Sequence, residues 1–200
     1  MKMKTRGLIV LIFASFISTI VLGAPKAAVE RLKGKVTYEG KALKVGDEII
    51  TGGILKTAGG SFVKVMIEKW GSSLVVGPKS EVEVVAQAPR PADYFKMLQG
   101  TLRYKTLKKG SEVGGIVTSR ASLGVRGTNF FVKVNKLLGE TEIVLFKGKV
   151  QMTNTSDQTD SLLIKEGQWG GIGGRFGEKL KKPIDLPKEA LDGFNQFLDI

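Results

Sequence analysis

The sequence contains no cysteine and no histidine. Without a thiol there is no disulfide, no thiolate nucleophile and no Cys/His zinc site. Without an imidazole there is no Ser-His-Asp triad. Proline is scarce, at 6 residues, while glycine is abundant at 26. That imbalance points to many tight turns between short strands. Long apolar runs are confined to one place near the N-terminus. The hydrophobic fraction of 42% and charged fraction of 25% are those of an ordinary folded chain, which excludes disorder over the whole length. A length of 200 residues suits one domain, or at most two small ones.

The apolar run covers residues 8–22 and is broken only by Ser15, Ser18 and Thr19. Lys2, Lys4 and Arg6 precede it, and Gly23 and Ala24 follow it. A basic start, an apolar stretch and small residues are the three parts of a secretory signal peptide. The stretch is shorter than the ~20 residues that span a bilayer comfortably. Val21 and Gly23 suit the positions before the cut, so residues 1–23 are expected to be a cleaved signal peptide, with Ala24 the mature N-terminus. Cleavage after Ala24 is the second choice, and an uncleaved anchor in the inner membrane is the alternative. With no cysteine to acylate, a lipid-anchored lipoprotein is excluded. The expected location is periplasmic or secreted. Setting the three basic residues aside leaves +9 of the net charge of +12. A basic surface favours anionic partners, such as an envelope polysaccharide. Nucleic acid is not expected, because export removes the chain from it.

Beyond the leader, short apolar runs alternate with glycine-rich turns. Candidate strands are 34–38, 48–50, 54–56, 62–67, 73–76, 82–85, 101–104, 116–118, 129–135, 141–146, 149–152 and 162–165. Phe62, Lys64 and Met66 oppose Val63, Val65 and Ile67, and Phe130, Val132 and Val134 oppose Phe131, Lys133 and Asn135. Period-two alternation with β-branched residues predicts half-buried strands and an all-β domain. The pairs Gly52–Gly53, Gly59–Gly60, Gly114–Gly115, Gly170–Gly171 and Gly173–Gly174 are expected at turn tips. Residues 88–98, with Pro89 and Pro91, read as a corner plus a helical turn. Gly34-Lys-Val-Thr-Tyr, Gly100-Thr-Leu-Arg-Tyr and Gly148-Lys-Val-Gln-Met form an unevenly spaced internal echo, which suggests similar corners. Residues 153–160 form a polar hairpin loop. At the C-terminus, Pro187 suits the first turn of a helix, and Leu191, Phe194 and Leu198 recur on one face beside Phe197. This short amphipathic helix is expected to pack on the sheet; the alternative is docking on a partner or a membrane face. Gly193 in its middle weakens it, so it needs a surface to form on.

The most distinctive stretch is Ser119-Arg-Ala-Ser-Leu-Gly-Val-Arg-Gly-Thr-Asn-Phe-Phe-Val132. It resembles the signature of FecR domains, in which a Val-Arg-Gly-Thr segment precedes a strand that opens on an aromatic residue. Leu43-Lys-Val-Gly-Asp-Glu-Ile-Ile-Thr51, residues 141–150 and residues 163–169 resemble three further elements of that family, in the same order. Ser119-Arg120 departs from the Thr-Pro often found there. The resemblance implies a short-stranded β-solenoid or sandwich-like domain outside the cytoplasm, assigned to residues 24–177, with residues 178–200 a C-terminal extension. The founding members regulate iron uptake through a cytoplasmic tail acting on a sigma factor, and carry a further domain that contacts an outer-membrane receptor. Neither part is expected here, since about seven residues precede the apolar run and about thirty follow Trp169.

No constellation in the sequence demands catalysis. The motif Gly124, Val125, Arg126, Gly127 and Thr128 is expected to be structural, with Arg126 tying turns together; an anion site at Arg126 is the alternative. Ser61 and Lys64 match Ser-x-x-Lys only in letters, because a strand puts them on opposite faces. The pairs Glu81/Glu83 and Glu140/Glu142 read as the solvated edges of strands. Asp157 and Asp160 are too few for a hard-cation site. Trp70, Trp169, Tyr38, Tyr94 and Tyr104 are core or edge residues first and sugar platforms second. The expectation is a non-catalytic protein-binding, scaffold or signalling module of the envelope, with no metal and no cofactor. The alternative is a module binding envelope polysaccharide or peptidoglycan. Membrane contact is expected only through an uncleaved leader or the C-terminal helix.

Overall fold

The computed structural model describes residues 27–50, 52–85, 93–108, 114–125 and 127–199. Among them are β1 Ala27–Lys33, β2 Val36–Tyr38, β3 Lys41–Ala42, β4 Glu48–Ile49, β5 Gly53–Thr57, β6 Phe62–Ile67, β7 Ser72–Val76 and β8 Glu81–Val84. The long β9, Phe95–Thr106, is followed by β10 Gly114–Val117, β11 Ala121–Val125, β12 Asn129–Asn135 and β13 Glu140–Lys147. Then come β14 Lys149–Asn154, β15 Ser161–Lys165, β16 Gln168–Ile172, β17 Ile184–Asp185 and the helix α1, Lys188–Asn195. The strands form two sheets. The first runs β4-β1-β6-β7-β9-β12-β13-β16-β17, antiparallel throughout. The second runs β3-β2-β5-β8-β9-β10-β11-β14-β15, antiparallel except between β10 and β9. Only β9 belongs to both. The fold is an all-β, open two-layer structure, and the inner faces of the two sheets close one core.

The alternation read from the sequence sets those inner faces. Val63, Val65 and Ile67 of β6 and Phe130, Val132 and Val134 of β12 point inward and are buried. Tyr104 stacks on Phe130 with ring centroids 5.3 Å apart. Its hydroxyl donates to Ser72 Oγ at 2.8 Å. Burial raises the phenol pKa above its ordinary value, and the bonds to Ser72 and Thr106 oppose that rise.

The chain changes sheet at corners of one design. Gly34, between β1 and β2, has φ +76°, and the N–H of Lys35 donates to Ser61 Oγ at 2.9 Å. Gly100, inside β9, has φ +98°, and the N–H of Thr101 donates to Ser80 Oγ at 2.9 Å. Gly127, between β11 and β12, has φ +65°, and the N–H of Thr128 donates to Thr106 Oγ1 at 3.2 Å. In each, glycine takes a backbone conformation that other residues resist, and the next amide finds a side-chain hydroxyl in place of a ladder carbonyl. Gly148 makes the crossing from β13 to β14 at φ +91°, with the Glu166 carboxylate as acceptor at 3.3 Å. The echo at Gly34, Gly100 and Gly148 therefore marks three sheet crossings.

Several local expectations differ from what is found. Within 88–98, residues 88–92 lie outside the described residues, and Phe95–Leu98 open β9 as strand, not helical turn. The register against β8 shifts between Glu81 and Val82, whose partners are Gln99 and Met97, so Leu98 is an extra residue. That bulge moves the inward positions from Phe95 and Met97 to Leu102 and Tyr104, and breaks the alternation. Gly114–Gly115 and Gly170–Gly171 lie within strands rather than at turn tips. A Cβ on Gly114 would stand 2.6 Å from the Tyr104 hydroxyl, and one on Gly171 would stand 2.4 Å from the Thr141 carbonyl oxygen. Close approach, not turning, explains those glycines.

Candidate functional site

The Gly124–Thr128 motif divides between a strand and a corner. Gly124 and Val125 close β11, which is held between β10 and β14. Val125 is buried in the core. Gly127 and Thr128 make the corner described above, and the Thr128 carbonyl accepts in return from the Thr106 N–H at 2.8 Å. Arg126 lies outside the described residues. A Cβ on Gly124 would meet only the Gln151 carbonyl oxygen, at 3.9 Å, and Gly124 has no positive φ. The two glycines should thus respond differently. Gly127→Val is expected to lose about 1–3 kcal/mol from forced left-handed backbone. Gly124→Ala is expected to change stability by less than about 0.5 kcal/mol, as an unstrained substitution does. Thermal melts of both variants check this, and equal shifts would contradict the assignment of the turn to Gly127.

The outer face of the first sheet is covered in cis by the C-terminal segment. Phe131 of β12, one of the few outward apolar residues, packs 6.2 Å from Phe194 and 5.9 Å from Phe197, ring centre to ring centre. Beside it Arg103 of β9 is 2% exposed. Its Nε donates to Asn129 Oδ1 at 3.1 Å, its Nη2 to Asn195 Oδ1 at 2.6 Å, and its Nη1 to the carbonyls of Asn195 and Phe197. The Asp199 carboxylate is 3.8 Å away, and the guanidinium lies 4.8 Å over the Phe146 ring. Burial lowers the guanidinium pKa and Asp199 raises it again. The backbone carbonyls at and just past the end of α1, which no helical bond can satisfy, thus receive a fork of donors from the sheet.

A second cluster corrects the reading of Glu140 and Glu142. They are buried, not solvated, because β13 lies between β12 and β16 and the 173–177 turn folds over them. The Arg175 N–H donates to Glu140 Oε2 at 3.0 Å, and its guanidinium bonds Glu142 and stands 3.6 Å from Glu140 Oε1. Trp169 Nε1 donates to Glu142 Oε1 at 3.2 Å. Arg175 also lies 5.3 Å over Trp169 and 5.1 Å over Phe176. Lys181, Lys182 and Ile184 complete an open groove beside these rings. By contrast, Glu81 and Glu83 do sit on a solvated face, paired with Lys56 at 3.3 Å and Lys96 at 3.5 Å.

The remaining candidates are not brought together. Ser61 accepts from Lys35, while Lys64 stands 3.4 Å from Glu30. Trp70, Tyr94 and Tyr104 are buried, and Tyr38 donates to the Ile50 carbonyl. Asp157 accepts from Thr159, and Asp160 from Asn154 and Leu180. Among the described residues no cluster of carboxylates could hold a metal, and no helix is long and apolar enough to cross a membrane. Sequence reading missed Arg103 and Arg175. Both sit among residues that read locally as exposed strand or glycine turn.

Fold and site together define an open, two-layer antiparallel β domain whose buried charges tie its own segments down. Residues 54–151 match the family model described as FecR protein, a span that contains two of the hydroxyl-capped corners and the whole Gly124–Thr128 motif. The chain carries a FecR domain. Two solved structures from Parabacteroides distasonis share the fold, each described as a "putative anti-sigma factor". One has 12% identity and a TM-score of 0.57, covering 72% of this chain and 65% of the other. The second has 16% identity and a TM-score of 0.54, covering 68% and 62%. This chain therefore spans just under two thirds of the length of either. No curated protein matches it.

Proposed function

We propose that this chain is a non-catalytic module that binds protein partners in signalling at the cell envelope. The observation that carries the reading is the FecR domain at 54–151. The site chemistry supports it. The charged residues that lie buried in the described structure are engaged by other segments of the same chain, Arg103 by the end of α1 and Glu140 and Glu142 by Arg175. In this reading Gly124, Val125, Arg126, Gly127 and Thr128 are structural, residues 1–23 are a signal peptide, residues 24–177 are the FecR domain and residues 178–200 are an extension that completes it. Capture from envelope extract with the purified mature protein tests the proposal. A specific protein retained on the column is expected. No retained protein, together with co-sedimentation of the chain with purified sacculi, would replace it by the second reading.

That second reading is binding of envelope polysaccharide. One feature favours it: the groove where Trp169 and Phe176 flank Arg175, with Lys181 and Lys182 beside them. Aromatic faces suit sugar rings, and lysines suit anionic substituents. Against it, the guanidinium of Arg175 already occupies both rings.

A further inference from the structure

Hairpin β12–β13 ends in Lys136-Leu137-Leu138-Gly139. Asn135 Oδ1 accepts from the N–H groups of Leu137, at 3.1 Å, and Leu138, at 3.2 Å. The Gly139 N–H donates to the Lys136 carbonyl at 3.4 Å, with Gly139 at φ +54°. The turn is therefore held by its own bonds, and ordering it needs no partner. Yet it holds Leu137 97% exposed and Leu138 58% exposed. Single exposed leucines are common, but two adjacent ones on a fixed, protruding turn are a wedge with no surface of this chain to enter.

The surroundings of the wedge are basic. Lys136 flanks Leu137, and Lys79 and Lys133 line the same open concavity, among whose lining residues there is no carboxylate. Lys79 is one of three non-glycine residues with positive φ among those described, at +52°, an uncommon conformation for lysine. The strand register brings the turn between β1 and β2, with Lys33 and Lys35, to this same end of the molecule. The nearby acids are engaged: Glu178 by Arg120 at 2.5 Å, Glu140 by Arg175, and Asp160 by Asn154. An apolar wedge ringed by uncompensated lysines matches one occupant best, a bilayer surface rich in anionic lipid. Leucine would enter the acyl boundary while the ammonium groups meet the headgroups.

We propose that the β12–β13 tip is a membrane-docking element that seats this end of the domain on anionic lipid. The sequence placed membrane contact in the leader or the C-terminal helix. The helix turns Phe194 toward Phe131 instead, and among the described residues Leu137 is the most exposed of the large apolar side chains. This inference is independent of the protein-binding role proposed above.

The test uses protein beginning at Ala24, since residues 27–199 contain both sheets and the whole core. It is co-sedimented with vesicles of phosphatidylcholine alone and of phosphatidylcholine with phosphatidylglycerol. Binding is expected only to the anionic vesicles and should weaken with salt. Leu137→Ser with Leu138→Ser should reduce the partition coefficient at least about tenfold, given about fourfold per buried methylene. Replacing Lys79, Lys133 and Lys136 by glutamine should reduce it by about fivefold per charge. Melting temperatures should not change, because all these side chains are exposed. No binding to anionic vesicles would overturn the proposal. So would equal binding by the double serine variant, which would mean charge alone acts. A protein partner captured through Leu137, without vesicle binding, would assign the tip to that partner and equally overturn it.

Discussion

Gly100→Val is expected to remove a large part of the stability of the domain. Gly100 sits where β9 leaves the second sheet and enters the first, with φ +98°. A Cβ there would stand 2.1 Å from Ser80 Oγ and 2.5 Å from Ser80 Cα, and the latter is backbone that no rotamer change can move. The left-handed conformation alone costs about 1–3 kcal/mol, and forcing a side chain into packed backbone adds about as much again. The sum approaches the lower part of the ~5–15 kcal/mol that holds an ordinary domain together. The Ser80 clasp would open too, since its hydroxyl accepts from the Thr101 N–H and its own amide donates to Thr57 Oγ1 at 3.0 Å. Urea unfolding followed by circular dichroism is the measurement. A cooperative transition at the wild-type midpoint would show that β9 does not depend on this corner. Gly127→Val has no atom within 4 Å of its Cβ, so it should be the milder of the two.

Arg103→Ala is expected to release the C-terminal segment while the two sheets stay folded. The guanidinium is the hub of four hydrogen bonds, three of them to residues at least 92 positions away. Its removal leaves the part-buried Asn195 and Phe197 carbonyls without this donor, where a wholly buried group so stripped would cost about 1–3 kcal/mol each. The total is capped, because the segment can lift off and let water satisfy those carbonyls. A loss of about 3 kcal/mol is therefore expected, close to the low end for breaking a buried charged contact. Limited proteolysis should cut the variant after β17 and leave a stable core, whereas wild type resists. Arg103→Lys keeps the charge and loses the fork, so it should fall between the two. A variant as protease-resistant as wild type would mean that Phe194 and Phe197 hold the segment unaided.

How much of this was legible depended on whether the chemistry was local. β6 can be read to the residue, because its burial alternates without interruption through its whole length, and β12 departs from alternation only at Phe131, which the C-terminal segment covers. β1 cannot: its register slips between Val29 and Arg31, and charged Glu30, Arg31 and Lys33 hide the pattern. β16 is masked by Gly170–Gly171, which read as a turn although they lie in a strand where Gly171 serves close packing. The corners showed faintly as the Gly34, Gly100 and Gly148 echo, but their hydroxyl partners lie 21 to 26 residues away at the first two. Arg103 was invisible for the same reason. Between Leu102 and Tyr104 it looks like the wet side of a strand, and only the docked helix makes it dry. Glu140 and Glu142 followed the alternation to the outer face correctly; what sequence could not supply was the glycine turn that covers them.

The ends of the two sheets carry a consequence for life at high concentration. A sheet that stops exposes a row of unpaired amides and carbonyls, a template on which a second chain can add. Among the described residues the first sheet ends in β4 and β17, and the second begins with β3, and each of these is only two residues long. So short a row offers little to a neighbouring molecule. The fourth border, β15, has five residues and an exposed Leu163, and would be the weak point. It is blunted at its end, where the Lys165 N–H already donates to Gln168 Oε1 at 2.9 Å and the lysine side chain adds charge. A domain made almost wholly of strands thereby limits the stacking of copies edge to edge, and any self-association it did show would be expected to start along Ser161–Lys165.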